Sequence, residues 1–312
     1  MTNVTIEIRL TRLHVVLLYA GLSGCSRAGH LIRGNVNRKM NLSPQVLPLT
    51  PNIGAEIDGI DLSAELDAAT LRFIRQALLK YLVIFFRDQV LTLEQHKDLG
   101  RCFGELDVHP AAGLEGHPEI FVVHADEQST RIAGEDWHSD VSCDQNPPMA
   151  SVLHLHSVPD SGGDTLFANM YAAFDTLSDH MQSFLSGLIA VHESEHVYRD
   201  RYAQHAKMRD AAYPVAEHPV VRTHPETGRK ALFVNSTFTT QIKGLSSDES
   251  AVLLHFLFDH IQSPEFQCRF HWQRHSVAVW DNRCVQHYAL WDYFPQVRHG
   301  YRVTIKGDLP YC

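Results

Sequence analysis

Ser276-Val-Ala-Val-Trp280-Asp-Asn-Arg-Cys-Val-Gln-His287 is the stretch that decides how this chain is built. Ser276 to Trp280 reads as a strand, because short apolar runs rich in β-branched and aromatic residues pack on a pleated, buried surface. Asp281 and Asn282 are turn formers, and they aim the chain so that His287 is delivered from the strand end. Eleven residues later comes Arg298, then Gly300 and Arg302, leading into a strand at Tyr301-Arg-Val-Thr-Ile305. Side chains alternate across a strand, so Arg298 and Arg302 are expected on one face, with Gly300 leaving room between them.

Outward from this segment, Ala231-Leu-Phe-Val234 is a further strand candidate and Asp248 to Ile261 a long helix. Towards the N-terminus, Asn52 to Asp58 alternates like a strand, and Leu71, Ile74 and Leu78 give Leu66 to Lys80 helical spacing. Tyr81-Leu-Val-Ile-Phe-Phe86 is apolar on both faces and reads as a fully buried strand. Thr92-Leu-Glu-Gln95 is a capping box opening a helix towards Phe103. Apolar runs at Met149 to Val158 and Thr165 to Tyr171 lie between Pro and Gly punctuation. With no internal repeat and no linker rich enough to divide it, the chain is expected to be mainly β: a double sheet with helices packed outside.

The composition is that of a globular protein, 44% hydrophobic and 20% charged. A formal net charge of −9 argues against a nucleic-acid or anionic-membrane partner, so an anionic ligand must be met by a few cations inside a pocket. Six widely spaced cysteines without a C-x-x-C pair suit free thiols and a cytoplasmic location. Residues 1–39 read differently. Leu13 to Leu22 is too short to span a bilayer, and Leu22-Ser-Gly-Cys25 resembles a lipoprotein box interrupted upstream by His14. The expectation is a non-conforming extension, disordered or a mis-assigned start, before a single domain at 40–312.

Trp137-His138-Ser139-Asp140 is the second landmark. On a strand, an H-x-D pair presents an imidazole and a carboxylate to one point. Two nitrogens and one carboxylate on one face of an octahedron, the other face open, is the ligand set of non-haem Fe(II) sites. The pair alone is a weak signal in a chain with 21 histidines; His287 would supply the third ligand.

With these residues in place the chain resembles the taurine dioxygenase / aryloxyacetate dioxygenase family of Fe(II)- and 2-oxoglutarate-dependent enzymes. The similarity runs from about Leu49 to Asp308. It rests on Asn52-Ile-Gly-Ala, Phe103-Gly-Glu-Leu, Trp137-His-Ser-Asp-Val, Gly162-Gly-Asp-Thr165, His218-Pro-Val-Val-Arg-Thr-His-Pro225, Ala231-Leu-Phe-Val-Asn235, Trp280-Asp-Asn-Arg and Arg302-Val-Thr-Ile. The resemblance implies a double-stranded β-helix (jelly-roll) core with flanking α-helices. It implies His138, Asp140 and His287 as iron ligands, and Thr165 and Arg298 on the distal carboxylate of 2-oxoglutarate. His109 and Arg302 would contact the anionic group of the primary substrate, and Phe238 would form an aromatic wall. The implied activity, with O₂ as second co-substrate, is hydroxylation of a small anionic organic molecule, yielding succinate and CO₂. Hydroxylation beside a sulfonate or ether oxygen would release sulfite or an equivalent fragment. Family members are commonly dimers or tetramers, so a homo-oligomer is expected.

Two departures bear on the substrate. Where taurine dioxygenases have a tyrosine three residues beyond the equivalent of His109, this chain has Ala112; an asparagine before the H-x-D is replaced by Gly134. The pocket has lost two polar contacts, which points away from taurine towards an alkyl or aryl sulfonate, a sulfate ester or an aryloxy carboxylate. A catalytically silent ligand-binding jelly-roll is the reading from a different class; an intact triad beside both co-substrate residues argues against it.

His192-Glu-Ser-Glu-His196 is a literal zinc-protease signature, and Glu217 could be imagined as its third ligand. That motif needs a helix, whereas Leu188-Ile-Ala-Val191 before it reads as a strand, so the zinc-hydrolase reading is set aside. His154/His156 and His271/His275 also have ligand-like spacing. They are read as structural, the first as one face of a strand and the second as a surface loop. Trp137 and Trp280 are read as core aromatics beside the site.

Overall fold

The structure, a computed structural model, describes residues 43–108, 113–199 and 213–312. Strands β1 (Gln45–Pro48) and β2 (Ala55–Asp58) precede helix α1 (Ala68–Tyr81), β3 (Val83–Phe86) and α2 (Leu93–Arg101). Then come β4 (Gly113–Leu114), β5 (His117–Ala125), β6 (Ala150–Ser157) and β7 (Thr165–Asn169), with α3 (Met170–Asp175) and α4 (Asp179–Leu185) after them. Next are β8 (Ile189–Glu193), α5 (Glu195–Tyr198), β9 (Val215–Pro219), β10 (Val221–Thr223), β11 (Lys230–Leu232) and β12 (Thr239–Ile242). Helix α6 (Ser247–Ile261) leads to β13 (Gln267–Phe270), β14 (Val277–Asp281), β15 (Val285–Ala289) and β16 (Arg298–Ile305).

The major sheet has eight strands in the order β1-β2-β3-β14-β6-β16-β5-β4. Facing strands form a three-stranded sheet β13-β7-β15, a second one β12-β8-β9 and the pair β10-β11. Every pairing is antiparallel except β2 with β3. This is the jelly-roll architecture that the sequence led us to expect.

The central strands are apolar on both faces because each face meets a different core. Val83 and Phe85 of β3, Leu153 and Leu155 of β6, and Ala278 and Trp280 of β14 join the inner cluster with Phe167, Val285 and Phe270. Ile84, Phe86, Ala150, Val152, Val277 and Val279 point the other way, into the layer that includes Ile74 and Leu78 of α1 and Leu99 of α2. Burying a large apolar side chain contributes about 1.5–3 kcal/mol, and the two layers are what oblige these strands to lack a polar face.

The helices start where their caps place them. The Asp67 carboxylate accepts from the Thr70 amide, and Thr92/Gln95 and Ser246/Glu249 form complete capping boxes. The apolar run Thr165–Tyr171 divides into β7 and α3, because the Asn169 side chain caps a helix that begins at Met170. Two expectations need correction. The strand expected under His138 shrinks to a single bridge, His138 against His287, after which Asp140 enters a turn carried by Val141 at φ 47°. Gly300 leaves no space in the pocket; an added Cβ would fall onto the His154 carbonyl of β6, so glycine is required by backbone approach. Residues 1–39, and hence the proposed extension, lie outside the described residues.

Candidate active site

A cavity of about 280 Å³ is lined by β5, β6, β7, β14, β15 and β16, the 131–141 segment, α5 and the 236–238 turn. His138 and His287 exchange both main-chain hydrogen bonds (3.2 and 2.9 Å), which makes them direct cross-strand neighbours with side chains on one side. Their ring centroids are 4.1 Å apart. The turn after His138 brings the Asp140 carboxylate to them, with Oδ1 3.7 Å from His138 Nε2 and 3.9 Å from His287 Nε2. One ligand atom from each of the three lies within 4.8 Å of the others, and all three residues are buried.

The surroundings fit this donor set to a divalent ion. The Asp136 carbonyl, 2.8 Å from His138 Nδ1, can only accept, so the proton sits on Nδ1 and Nε2 presents its lone pair. Ser151 Oγ donates to Asp140 Oδ2 at 2.7 Å. Asn282 holds that serine through Nδ2 (3.2 Å), while its Oδ1 accepts from Trp280 Nε1 (2.9 Å) and the Asp140 amide (3.4 Å). Burial alone would raise the Asp140 carboxyl, but Arg302, His287 and His138 hold it well below the usual carboxylate range. Burial, with His138 alongside, pushes His287 well below its ordinary value, so its ring is neutral. A carboxylate and two neutral imidazoles are what a cation requires.

The turn that delivers His287 is stapled. Asp281 accepts from the Arg283 amide (3.0 Å) and Nε (2.8 Å), and its Oδ2 lies 3.0 Å from His224 Nε2. Arg283 Nη2 also donates to Glu226 at 2.8 Å. Burial works to raise Asp281, but Arg283 and His224 outweigh it and hold the carboxyl far below the usual range. Asp281 therefore builds the turn as expected; Asn282 does more, since it also anchors Ser151 under Asp140.

Both arginines of β16 line the cavity, in different roles. Arg298 is 4% exposed; its Nε donates to the Gly163 carbonyl (3.2 Å) and Nη2 to Thr165 Oγ1 (3.4 Å). Trp272 Nε1 donates to the same hydroxyl at 2.9 Å. Burial pushes the Arg298 guanidinium down from its ordinary value, and it forms no ion pair among the described residues. A buried cation without an anion is costly unless a ligand supplies one. Arg302 instead donates from Nη1 to Asp140 Oδ1 at 2.6 Å and rests 4.8 Å from the Phe121 ring centroid, with Nε buried and unpartnered among the described residues.

Phe238 lines the cavity, buried, with its ring 6.1 Å from that of Tyr198. His109 and Ala112 lie outside the described residues. Gly134 sits at φ 82°, and a Cβ there would meet His138 Cε1 at 3.0 Å, so no larger side chain enters at this position without displacing the histidine. Trp280 packs its ring 4.7 Å from that of His287. The zinc-protease reading fails on geometry. His192 lies in β8 with Nδ1 3.0 Å from Ser142 Oγ, whereas His196 lies in α5 with Nε2 on the Thr237 carbonyl.

Ser151, Trp272, Arg131 and Tyr198 were not singled out from the sequence. Ser151 had a signal: it is the polar residue at an inward position of β6, where Leu153 and Leu155 are apolar. Replacing Ser151 with alanine is expected to weaken metal retention roughly 10–100-fold, the usual cost of losing an outer-shell partner. Titration of the folded variant with Fe(II) or Co(II) measures it, and an unchanged affinity would show that Asp140 needs no support from β6.

The fold and the site define a 2-oxoglutarate-dependent dioxygenase of the jelly-roll type. Residues 45–304 match the family model described as taurine catabolism dioxygenase TauD, TfdA family, and the chain belongs to that family. It is 36% identical over 275 residues to an alkylsulfatase of Acinetobacter baylyi, covering 85% of this chain and 86% of the relative. It is 36% identical over 278 residues to an alpha-ketoglutarate-dependent sulfate ester dioxygenase of Pseudomonas putida, covering 86% and 91%. Among solved structures, a taurine dioxygenase from Burkholderia xenovorans superposes with a TM-score of 0.75 at 40% identity, covering 86% of this chain and 91% of that one. No described helix is long and apolar enough to cross a membrane.

Proposed function

We propose that this dioxygenase oxidises a small sulfate ester or sulfonate, with Fe(II) held by His138, Asp140 and His287. The observation that carries the reading is the pair of β16 arginines in the cavity, one of them buried with no ion-pair partner among the described residues, beside a two-histidine, one-carboxylate cluster. The bound iron, with 2-oxoglutarate and O₂, supplies the oxidising power for C–H hydroxylation and leaves succinate and CO₂. Arg298 and Thr165 hold the distal carboxylate of 2-oxoglutarate. A guanidinium suits that task because it stays charged and grips carboxylate in a fixed geometry. Arg302 and His109 meet the sulfur-bearing anionic group, and the side chains of Phe121, Val123, Leu153 and Phe238 enclose its organic part.

The position of Arg302 sets which carbon faces the metal cluster, a positioning effect. Hydroxylation of the carbon that bears a sulfate leaves an unstable adduct that separates into aldehyde and sulfate. The same step on a sulfonate gives aldehyde and sulfite. Relatives that carry sulfate ester chemistry in their names support this order of substrates. An aryloxyalkanoate carboxylate is the second reading.

The test is succinate release from 2-oxoglutarate with Fe(II) and ascorbate across alkyl sulfates, sulfonates and aryloxy acids. Stimulation at least about 10-fold greater with sulfur anions than with aryloxy acids is expected. The reverse ranking would move the enzyme to the aryloxy branch, and no succinate with any substrate would return the protein to the silent binding class.

A further inference from the structure

His154, His156 and His275 each place one ligand-capable atom within 4.8 Å of the other two. Neither sequence spacing alone joins them. His154 and His156 are alternate residues of β6, and His275 sits at φ 63° just before β14. The main chain brings His275 over: its amide donates to the Leu155 carbonyl at 2.8 Å, and the Leu155 amide to the Ser276 carbonyl at 3.2 Å. The cluster lies on the opposite face of β6 from Ser151 and Leu153. That is the side of Ala150 and Val152, so the sheet separates it from the cavity.

Three further facts point to a ligand. Among the described residues, His154 Nε2, His156 Nε2 and His275 Nδ1 are all buried without a hydrogen-bond partner. Buried polar atoms are ordinarily satisfied, and three such nitrogens in one cluster are a desolvation cost that the fold does not recover by itself. The His154 side chain is 1% exposed, and its ring is hydrogen-bonded by the main chain of Gln89, which orients it. Two of the rings are also held towards the neutral form. Burial, with His156, His96 and His275 nearby, pushes His154 down to about 3, and burial with His299 and His275 nearby lowers His156.

We propose that His154, His156 and His275 form a second metal site, for a borderline divalent transition ion such as Zn(II), Cu(II) or Ni(II), separate from the catalytic cluster. A three-imidazole set with no carboxylate selects such ions over Mg(II) or Ca(II), which want oxygen ligands. Around a tetrahedral ion with ~2.0–2.1 Å bonds the nitrogens would be ~3.3 Å apart, within reach of small ring rotations, and solvent supplies the fourth position. The groups around it are His96 of α2, with its ring centroid 5.9 Å from that of His154, and His299, 6.3 Å from that of His156. The Arg274 charge beside His156 opposes any cation and limits the affinity. The ion would clasp β6 to the segment that enters β14, the strand that leads to the His287 turn.

The experiment counts Zn(II) equivalents retained by the full chain after equilibrium dialysis, in four proteins: wild type, His138→Ala, and His138→Ala combined with His156→Gln or with His275→Asn. Asparagine is chosen at 275 because it tolerates a positive φ. His154, the most buried member, is left alone because its replacement threatens the fold. One equivalent is expected to survive His138→Ala and to be lost in both double variants, with a thermal shift on adding Zn(II) that disappears alongside it. No equivalent surviving in His138→Ala would overturn the proposal. So would an equivalent that persists in both double variants, which would place the ion on other histidines. Neither outcome touches the catalytic assignment, which wild type and His138→Ala compare directly.

Discussion

Replacing His138 with alanine is expected to abolish succinate formation and to lower Fe(II) affinity at the catalytic cluster by more than about 100-fold. The bound is the upper end of what losing an outer-shell partner costs, and removing a ligand must exceed it. The geometry gives the reason. His138 and His287 are a mutual main-chain pair, and Asp140 Oδ1 faces both rings at 3.7 and 3.9 Å. Alanine keeps the bridge and the fold but leaves one imidazole and one carboxylate, too few to hold the ion against water. Circular dichroism would show a folded chain, and succinate assayed at rising Fe(II) would show whether activity returns. Normal turnover at ordinary iron concentration would remove the central assignment.

Alanine at the two arginines of β16 is expected to separate the two anions. Each change removes charge-assisted hydrogen bonds worth roughly 1.5–3 kcal/mol, or about 10–150-fold in kcat/KM. Arg298→Ala should raise KM for 2-oxoglutarate, because the guanidinium is buried beside Thr165 and pairs with no carboxylate among the described residues. Arg302→Ala should raise KM for the sulfate ester or sulfonate. Its 2.6 Å contact with Asp140 adds a second effect, a lower kcat through a less well oriented carboxylate, which Arg298→Ala should not show. Lysine at 302 should recover little, since a point charge cannot serve Asp140 and an anion as a planar fork does. Effects on the two KM values in the opposite sense would reverse the assignment of the arginines.

Much of this was legible in the residues. Ser276 to Trp280 and Tyr81 to Phe86 were readable as strands because a strand buried on both faces is apolar at nearly every position, and Tyr301 to Ile305 because Val303 and Ile305 alternate with less buried residues. The capping box expected at Thr92 is complete, and the helix expected from Asp248 opens one residue earlier, after a second box at Ser246. That His138, Asp140 and His287 come together was readable because ordered motifs surround them and because few residue types combine as metal ligands. His192 and His196 were separable from a zinc site by the apolar strand pattern before them.

Other features could not be read along the chain, because they depend on side chains that only the folded strands and turns bring together. Ser151 gains its meaning from Asp140 and Asn282, which reach it only when β6, β14 and the His138 turn converge. Gly300 looked like room for an anion and proved to be a site of backbone contact with β6, a fact that only the strand register holds. Local pattern thus determined the strands, the helix starts and the residue types of the candidate cluster, because those follow from propensity, periodicity and donor chemistry. Tertiary structure alone decided that Arg302 shares its charge with Asp140 and that His275 joins His154 and His156, because side-chain partnership is set by register and packing between distant strands.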